Sequence, residues 1–381
     1  MKILYTLNSG QRGGMEQHVL DLVKGMVSEG NEVFVWCSSG PMVEVYKNAG
    51  AEVTIQPINL DIDPFYISRL YKFLTKNKID VLHAHELKAV SSSLLAGALA
   101  KTSVRISHTH TPISEWKISY LKKRMNIMFD NLLVNLFATR EIALTESRRS
   151  VKESEGIKDS KLVVIPNGLN LAEFSLSPEQ KQKFKSEIMQ RYNISDGTYI
   201  FGNISRISKE KGHKALVVAY ADVCKSLENQ NIPNNTFLFI GGGGPLEDEL
   251  KSKVKELNIE DRVLITERFA EEDLQKFYAT FDSFVFPSMA EGFGIVLIEA
   301  MAFSLPILCS DLEVLQEVGG STVRYFETGS KEDLVAKMMD LYKRQDQYYG
   351  FGNKARRRVE EIYSIDLFVS RYLDLYKELL V

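Results

Sequence analysis

Phe286-Pro287-Ser288-Met289-Ala290-Glu291-Gly292-Phe293-Gly294-Ile295-Val296-Leu297-Ile298-Glu299-Ala300-Met301-Ala302 is the stretch on which the fold and the site turn. An apolar run, Phe284 to Phe286, stops at Pro287 and reads as a strand. A helix is predicted to begin near Gly294. Glu291 stands beside glycines at the junction, and Glu299 sits inside the helix among Ile, Leu, Ala and Met. A carboxylate in apolar company needs a partner or a ligand, because burying it bare is costly. Glycines let a backbone approach a ligand closely, and free N–H groups at a helix start suit an anion. The junction is therefore built for a ligand that is both polyhydroxylated and phosphorylated. A nucleotide sugar meets both descriptions.

Working outward, short apolar strands alternate with amphipathic helices. Strands are predicted at Ile3 to Leu7, Val33 to Trp36, Val53 to Ile55, Val81 to His83 and Arg105 to Ser107. Between the first two, Val19, Leu20, Leu22, Val23, Met26 and Val27 recur at helical spacing, and Gly30 closes the helix. The pattern restarts after Val163 to Ile165, which ends at the turn signal Pro166-Asn167-Gly168. Further strands are predicted at Tyr199 to Asn203, Phe237 to Ile240, Val263 to Thr266 and Ser283 to Phe286. Such alternation predicts an α/β chain with parallel, doubly wound sheets. The boundary falls between Gly168 and Ser177, which gives domains 1–168 and 169–364. A last helix, 365–381, carries Leu367, Phe368, Tyr372, Leu375, Tyr376 and Leu379 on one apolar face and needs a core to cover. Two such halves predict a cleft between the carboxyl ends of two sheets, where ligands bind.

The totals narrow the function. With 381 residues, two domains are expected. A net charge of -3 gives no case for nucleic acid as a partner. Cys37, Cys224 and Cys309 form no CxxC pair, which points to a reducing compartment and away from a cysteine metal site. The opening apolar run is too short for a signal peptide, and no stretch approaches the ~20 apolar residues of a membrane span. A cytoplasmic location is expected.

Four further motifs carry chemistry. In Gly202 to Gly212 a strand runs into a loop with Arg206, Lys209 and Lys211, cations suited to a diphosphate; the plain alternative is a solvated basic loop. Gly241-Gly242-Gly243-Gly244-Pro245 breaks the dinucleotide fingerprint at Leu246 and reads instead as a tight turn approached by a ligand or another backbone. Gly13-Gly14-Met15-Glu16, after the first strand, suits phosphate or sugar at a helix start, or is simply a flexible connection. His83 with His85, and His108 with His110, stand two apart at strand ends and so share a face. Apart from Glu86, no acidic set completes a metal shell, and no metal is expected. One histidine of the second pair is expected to face the cleft. Asp61-Ile62-Asp63 resembles a metal-binding DxD, but Pro64 and a helical run follow, so Asp63 is read as a helix cap. Trp116 to Phe137 mixes Lys117, Lys122, Lys123 and Arg124 with apolar residues. It fits a core-facing helix with solvated lysines, or one resting on an anionic membrane.

Together these residues resemble glycosyltransferase family 4, enzymes of the GT-B fold. The resemblance runs through Gly13 to Glu16, Asp80 to His85, Ile165 to Asn170, Arg206 to Gly212, Gly241 to Pro245 and the E-x7-E segment Glu291 to Glu299, and on to the closing helices from Ala355 to Leu380. It implies two Rossmann-like domains facing across a cleft, the first binding acceptor and joined by the final helix, the second binding the nucleotide sugar. It implies retaining transfer of a hexosyl group from a nucleotide diphosphate sugar, a UDP-sugar by preference, with no cofactor. Arg206 and Lys211 would hold the diphosphate. Glu291 and the amides of Gly292, Phe293, Gly294 and Ile295 would meet the sugar and phosphate, and Glu299 the ribose. Gly13, Gly14 and Gly243 would border the donor. His108 would stand near the transferred sugar, with His110 as fallback. Ser205 and Glu267 stand where the family often has glycine, which puts Arg268 near the base. The acceptor implied is a lipid-linked glycan or a small molecule, within cell-surface or exopolysaccharide synthesis, with peripheral contact to the inner membrane face through 116–137. A GT-B UDP-sugar epimerase and a non-catalytic nucleotide-sugar-binding protein are the alternatives; the E-x7-E segment weighs against the first and the intact cations against the second.

Overall fold

The computed structural model describes residues 1–116 and 118–381, without the side chains of Glu271 and Tyr349. The chain divides into two compact units, Met1–Gly168 with Ile365–Val381, and Leu169–Ser364.

The first unit runs β1 (Lys2–Thr6), α1 (Gly14–Ser28), β2 (Glu32–Cys37), α2 (Met42–Asn48), β3 (Glu52–Ile55), α3 (Pro64–Asn77), β4 (Val81–His85), α4 (Leu87–Leu99), β5 (Val104–His108), α5 (Tyr120–Phe137), β6 (Arg140–Ala143), α6 (Glu146–Glu155) and β7 (Leu162–Val164). Its seven strands lie in the order β3-β2-β1-β4-β5-β6-β7, all parallel. The order reverses at β1, the topology of a doubly wound sheet. Successive side chains of β1 point to opposite faces, so Ile3 and Tyr5 join one core and Leu4 the other.

The chain's last helix, Ile365–Leu380, covers the first of these cores. Phe368, Tyr372, Leu375 and Tyr376 pack with Ile3, Tyr5, Val19, Leu22 and Val81. Each large apolar side chain so buried contributes about 1.5–3 kcal/mol. The helix's apolar stripe was readable in the sequence, and its target is the first sheet. Asp63 caps α3 as expected: its side chain accepts from the amides of Phe65 and Tyr66, with Pro64 at the first helical position.

The second unit contains α7 (Pro178–Arg191), β8 (Tyr199–Ile204), α8 (His213–Asn229), β9 (Thr236–Gly241), α9 (Glu247–Glu256), β10 (Val263–Ile265), α10 (Leu274–Thr280), β11 (Ser283–Phe286), α11 (Ile295–Ala302), β12 (Ile307–Ser310), α12 (Glu313–Gly319), β13 (Arg324–Phe326), α13 (Lys331–Lys343) and α14 (Gln345–Ile362). Its six parallel strands follow β10-β9-β8-β11-β12-β13. Phe201, Leu238, Val285 and Leu308 from four strands pack with Leu216, Tyr220 and Met338 from the covering helices. The reversal falls between β8 and β11, so the loops after these two strands meet.

Three strands were not legible. β6 carries Arg140 and Glu141 and reads as polar, yet Glu141 is fully buried against Lys152 of α6. β12 and β13 are only four and three residues long. No helix among the described residues is long and apolar enough to cross a membrane.

Candidate active site

The loops after β8, β9 and β11 are stitched together by their backbones. The amide of Met289 donates to Glu210 O at 2.7 Å, and the Ser288 hydroxyl oxygen lies 3.1 Å from the same carbonyl. The Ser205 amide donates to Gly241 O, and that of Ile207 to Gly243 O, each at 3.1 Å. The glycine run is therefore approached by another backbone, one of the two readings its sequence allowed. A β-carbon on Gly242, which has φ +134°, would lie 2.3 Å from Ser205 O. One on Gly212 would lie 2.0 Å from Pro287 O. Only glycine permits loops this close.

This stitching brings Lys211 to Glu291. Their side chains form an ion pair, and the Ser288 hydroxyl donates to the same carboxylate oxygen at 2.7 Å. Glu291 is 7% exposed and Lys211 23%. Lys211 also lies 5.8 Å above the Phe286 ring. Arg206 is exposed, and among the described residues no carboxylate pairs with it. Lys209, at the same loop, is exposed too. Ser205, where glycine was expected from the resemblance, has a local reason: its hydroxyl lies 2.9 Å from His213 Nε2, beside Asn203 Oδ1. Burial pushes His213 down to about 4, so this network is neutral.

Gly294, at φ +92°, opens α11, and Phe293 before it is buried against Tyr363. One helical turn on, Glu299 accepts from the Tyr278 hydroxyl at 2.8 Å. The carboxylate keeps part of its surface, yet the protein around it pushes its pKa up to about 7; the Tyr278 hydrogen bond works against that rise and Glu173 adds to it. Gly243 lies beside Arg268: a β-carbon there would sit 3.1 Å from the Arg268 amide. Arg268 itself is exposed. Arg206, Lys211, Gly243, Arg268, Glu291 to Ile295 and Glu299 all belong to the second unit.

Gly13, Gly14 and the histidines belong to the first unit. Gly13 caps α1 without a side chain, and the Gln17 amide donates to its carbonyl. His108 is deeply buried. β4 and β5 pair with His85 opposite His108, which drives the His108 ring among His18, His83 and His85 and leaves it no accessible surface. His110, just past the strand, is half-buried. Sequence reasoning missed His18, which α1 delivers to the same cluster from far upstream.

Behind this strand end lies a second feature the sequence concealed. The Glu141 carboxylate is bonded to Lys152 and also accepts from the Thr109 amide at 3.3 Å. Asp130 is buried nearby, and burial together with the Glu141 charge raises it to about 8.

α5 faces a core with Leu133 and Val134, which pack with Ala84, Val90 and Leu94, and it carries an exposed apolar stripe besides. Asp130, Leu133 and Val134 are its buried residues, while Leu121, Met125, Met128, Phe129, Leu132 and Leu136 form an exposed stripe. Lys122, Lys123 and Arg124 stand beside it, and Lys117 lies outside the described residues. A cavity of about 580 Å³ opens between the starts of α4 and α5, lined by Glu86, Lys88, Ser91, Trp116, Met125 and Phe129 among others.

Two family models together match most of the chain. Residues 12–173 match Glycosyltransferase Family 4, and residues 184–358 match Glycosyl transferases group 1. The chain belongs to the family 4 glycosyltransferases. This glycosyltransferase is 26% identical over 315 residues to the alpha-monoglucosyldiacylglycerol synthase of Streptococcus pneumoniae, covering 78% of this chain and 68% of the relative. It is 25% identical over 336 residues to the UDP-Gal:alpha-D-GlcNAc-diphosphoundecaprenol alpha-1,3-galactosyltransferase of Escherichia coli, covering 85% and 82%. Among solved structures, Anabaena Alr3699/HepE in complex with UDP and glucose superposes with a TM-score of 0.85 at 20% identity, covering 99% of this chain and 100% of that one. The glycosyltransferase thus has the GT-B fold, and it is a transferase.

Proposed function

We propose that this glycosyltransferase transfers a hexosyl group, with retention, from a UDP-sugar to a glycan acceptor used in cell-surface or exopolysaccharide synthesis. One observation carries the reading: the loop with Arg206 and Lys211 is bonded through its backbone to the strand end that holds Glu291, and α11 places Glu299 one turn further on.

The chemistry follows from these groups. Arg206 and Lys211 hold the diphosphate, and the amides opening α11 add a partial positive charge. A phosphate competes with Glu291 for Lys211. Donor binding therefore exchanges one ion pair for another and frees Glu291 to accept from the sugar's hydroxyls. Ser288 keeps the carboxylate aimed through that exchange. Glu299 accepts from the ribose hydroxyls, and Arg268 lies near the base. As the glycosidic bond breaks, positive charge grows on the sugar and negative charge on the departing diphosphate. Fixed cations aimed at that charge are worth about 3–4 kcal/mol for each well-placed donor. The acceptor attacks the face the diphosphate leaves, and the leaving phosphate takes its proton. The transfer is proposed to need no cofactor, because the two cations supply the charge a metal would.

UDP is favoured because the related proteins bear on it: the E. coli relative is named for UDP-Gal, and Alr3699/HepE has complexes with UDP and UDP-glucose. Gly13 and Gly14 are assigned to the donor and acceptor border. Of the strand-end pair, His110 is the histidine with surface to offer. The acceptor is a lipid-linked glycan, or a small molecule, received by the first unit. The exposed stripe of α5, flanked by Lys122, Lys123 and Arg124, supports peripheral contact with the anionic inner face of a membrane from the cytoplasm. Release of UDP and of glycosylated product from a panel of UDP-sugars and acceptors tests the reading. Neither transfer nor donor hydrolysis with any of them would overturn it.

A further inference from the structure

Among the described residues, Tyr278 is the one side chain that bonds Glu299. It comes from α10 and Glu299 from α11, 21 positions apart. The phenol oxygen lies 2.8 Å from Glu299 Oε2 and 3.4 Å from Val296 O. A phenol has one proton, and the nearer, charged acceptor takes it. No cation pairs with Glu299 among the described residues, and the charge it feels, that of Glu173, repels it.

The Tyr278 ring is fully buried and fixed on four sides. It stacks on Phe303 with centroids 5.1 Å apart and planes 18° apart. It leans against Phe284 at 5.8 Å and Phe281 at 6.1 Å, and meets Phe174 at 6.4 Å. All four contacts are apolar, and a phenylalanine would make them equally well. Packing therefore accounts for the ring and not for the hydroxyl. Burial, then the Glu299 charge, pushes the phenol well above its ordinary range, so the hydroxyl keeps its proton and remains a donor. A glutamate side chain loses much rotamer freedom when it is fixed. A donor that fixes it before the ligand arrives removes that cost from binding.

We propose that Tyr278 is a positioning residue for the donor nucleoside, its hydroxyl holding the Glu299 carboxylate in the conformation that receives the ribose. The inference rests on the donor reading, in which Glu299 takes the ribose hydroxyls. With Oε2 held by the phenol, Oε1 and the second lone pair of Oε2 remain to accept from two vicinal hydroxyls. Tyr278 itself touches no substrate and acts through Glu299. Its effect is therefore confined to ligands that carry those hydroxyls.

The test titrates the full chain with UDP and with dideoxy-UDP, which lacks both ribose hydroxyls. All titrations are run at pH 9, well above the Glu299 pKa of about 7, so that they read position and not protonation. The parent chain should bind dideoxy-UDP about tenfold or more weakly than UDP. Tyr278→Phe keeps every ring contact and should fold. It should bind UDP about three- to tenfold more weakly than the parent while binding dideoxy-UDP as the parent does. In a Glu299→Ala background the same change should cost UDP nothing further, because the group it acts through is gone. A Tyr278→Phe variant that discriminates the two ligands as well as the parent overturns the inference and leaves the donor reading standing. So does an equal loss of both ligands, or a further loss of UDP in the Glu299→Ala background, since either means that Tyr278 acts through packing. A parent chain that binds the two ligands alike overturns the ribose assignment and this inference with it.

Discussion

Lys211 and Glu291, 80 residues apart in sequence, form an ion pair at the carboxyl edge of the second sheet, with Ser288 bonded to the same carboxylate oxygen. The pair joins the two motifs on which the donor reading stands. The cation expected to hold phosphate and the carboxylate expected to hold sugar neutralise each other until a ligand divides them.

This relationship makes the two partners behave differently on substitution. Lys211→Ala leaves a 7% exposed carboxylate unpaired and removes a phosphate ligand. It should destabilise the protein by about 1–3 kcal/mol and weaken UDP binding at least tenfold. Glu291→Gln releases Lys211 from its partner. UDP should then bind as tightly as before or more tightly, while turnover falls about a hundredfold or more. Calorimetry and initial rates on both variants check this. Equal loss of UDP affinity in the two would contradict the exchange of partners.

Glu299 should make UDP affinity depend on pH. Its pKa in the free protein is about 7, and a carboxylate is needed to accept from both ribose hydroxyls. Affinity should fall as pH drops below 7, approaching tenfold per unit. UDP's own phosphate titrates in the same range, so the comparison is with Glu299→Gln, whose affinity should be lower at pH 8 and flatter with pH. For stability the sign is opposite. A raised carboxyl pKa favours the fold below the ordinary value of about 4.5, and that contribution is lost as pH rises through 7. UDP should therefore raise the melting temperature more at pH 8 than at pH 6, relative to the same increment in Glu299→Gln.

Gly242→Ala places a methyl group 2.3 Å from Ser205 O at φ +134°. The expected cost is about 1–3 kcal/mol. Because the strain opens the contact between the β8 and β9 loops, UDP affinity should fall as well. Alanine at Gly14, where nothing lies within 4 Å of the added carbon, should leave stability unchanged within about 0.5 kcal/mol. Thermal melts and UDP titrations of the two variants measure both effects.

The exposed face of α5 should bind vesicles containing anionic lipid, and the binding should weaken with salt. Changing Leu121, Met128 and Leu132 to Ser should abolish co-sedimentation without lowering the melting temperature, since all three side chains are solvent-facing. Undiminished co-sedimentation of that variant would remove α5 from the membrane account.

Much of this was legible because the relevant signals are local. The strands around Phe201, Leu238 and Val285 announce themselves by runs of buried apolar residues, and Glu291 and Glu299 stand out as carboxylates beside glycine and inside an apolar helix. The illegible parts depend on partners distant in the chain. β6 hides because Glu141 is buried only by virtue of Lys152 on the next helix. His18 shows no motif of its own and joins the other histidines only when α1 packs on the sheet. Alternation along a strand gives the face on which His108 lies but not what covers that face; here His18, His83 and His85 do.

The most direct test of the donor site is a calorimetric titration of the protein and its Arg206→Ala variant with UDP, with GDP and ADP alongside. The account predicts micromolar binding of UDP, about −8 kcal/mol, in preference to the other two, and its loss in the variant. Binding of UDP with equal affinity by Arg206→Ala, or no binding of any diphosphate by the parent chain, would contradict it.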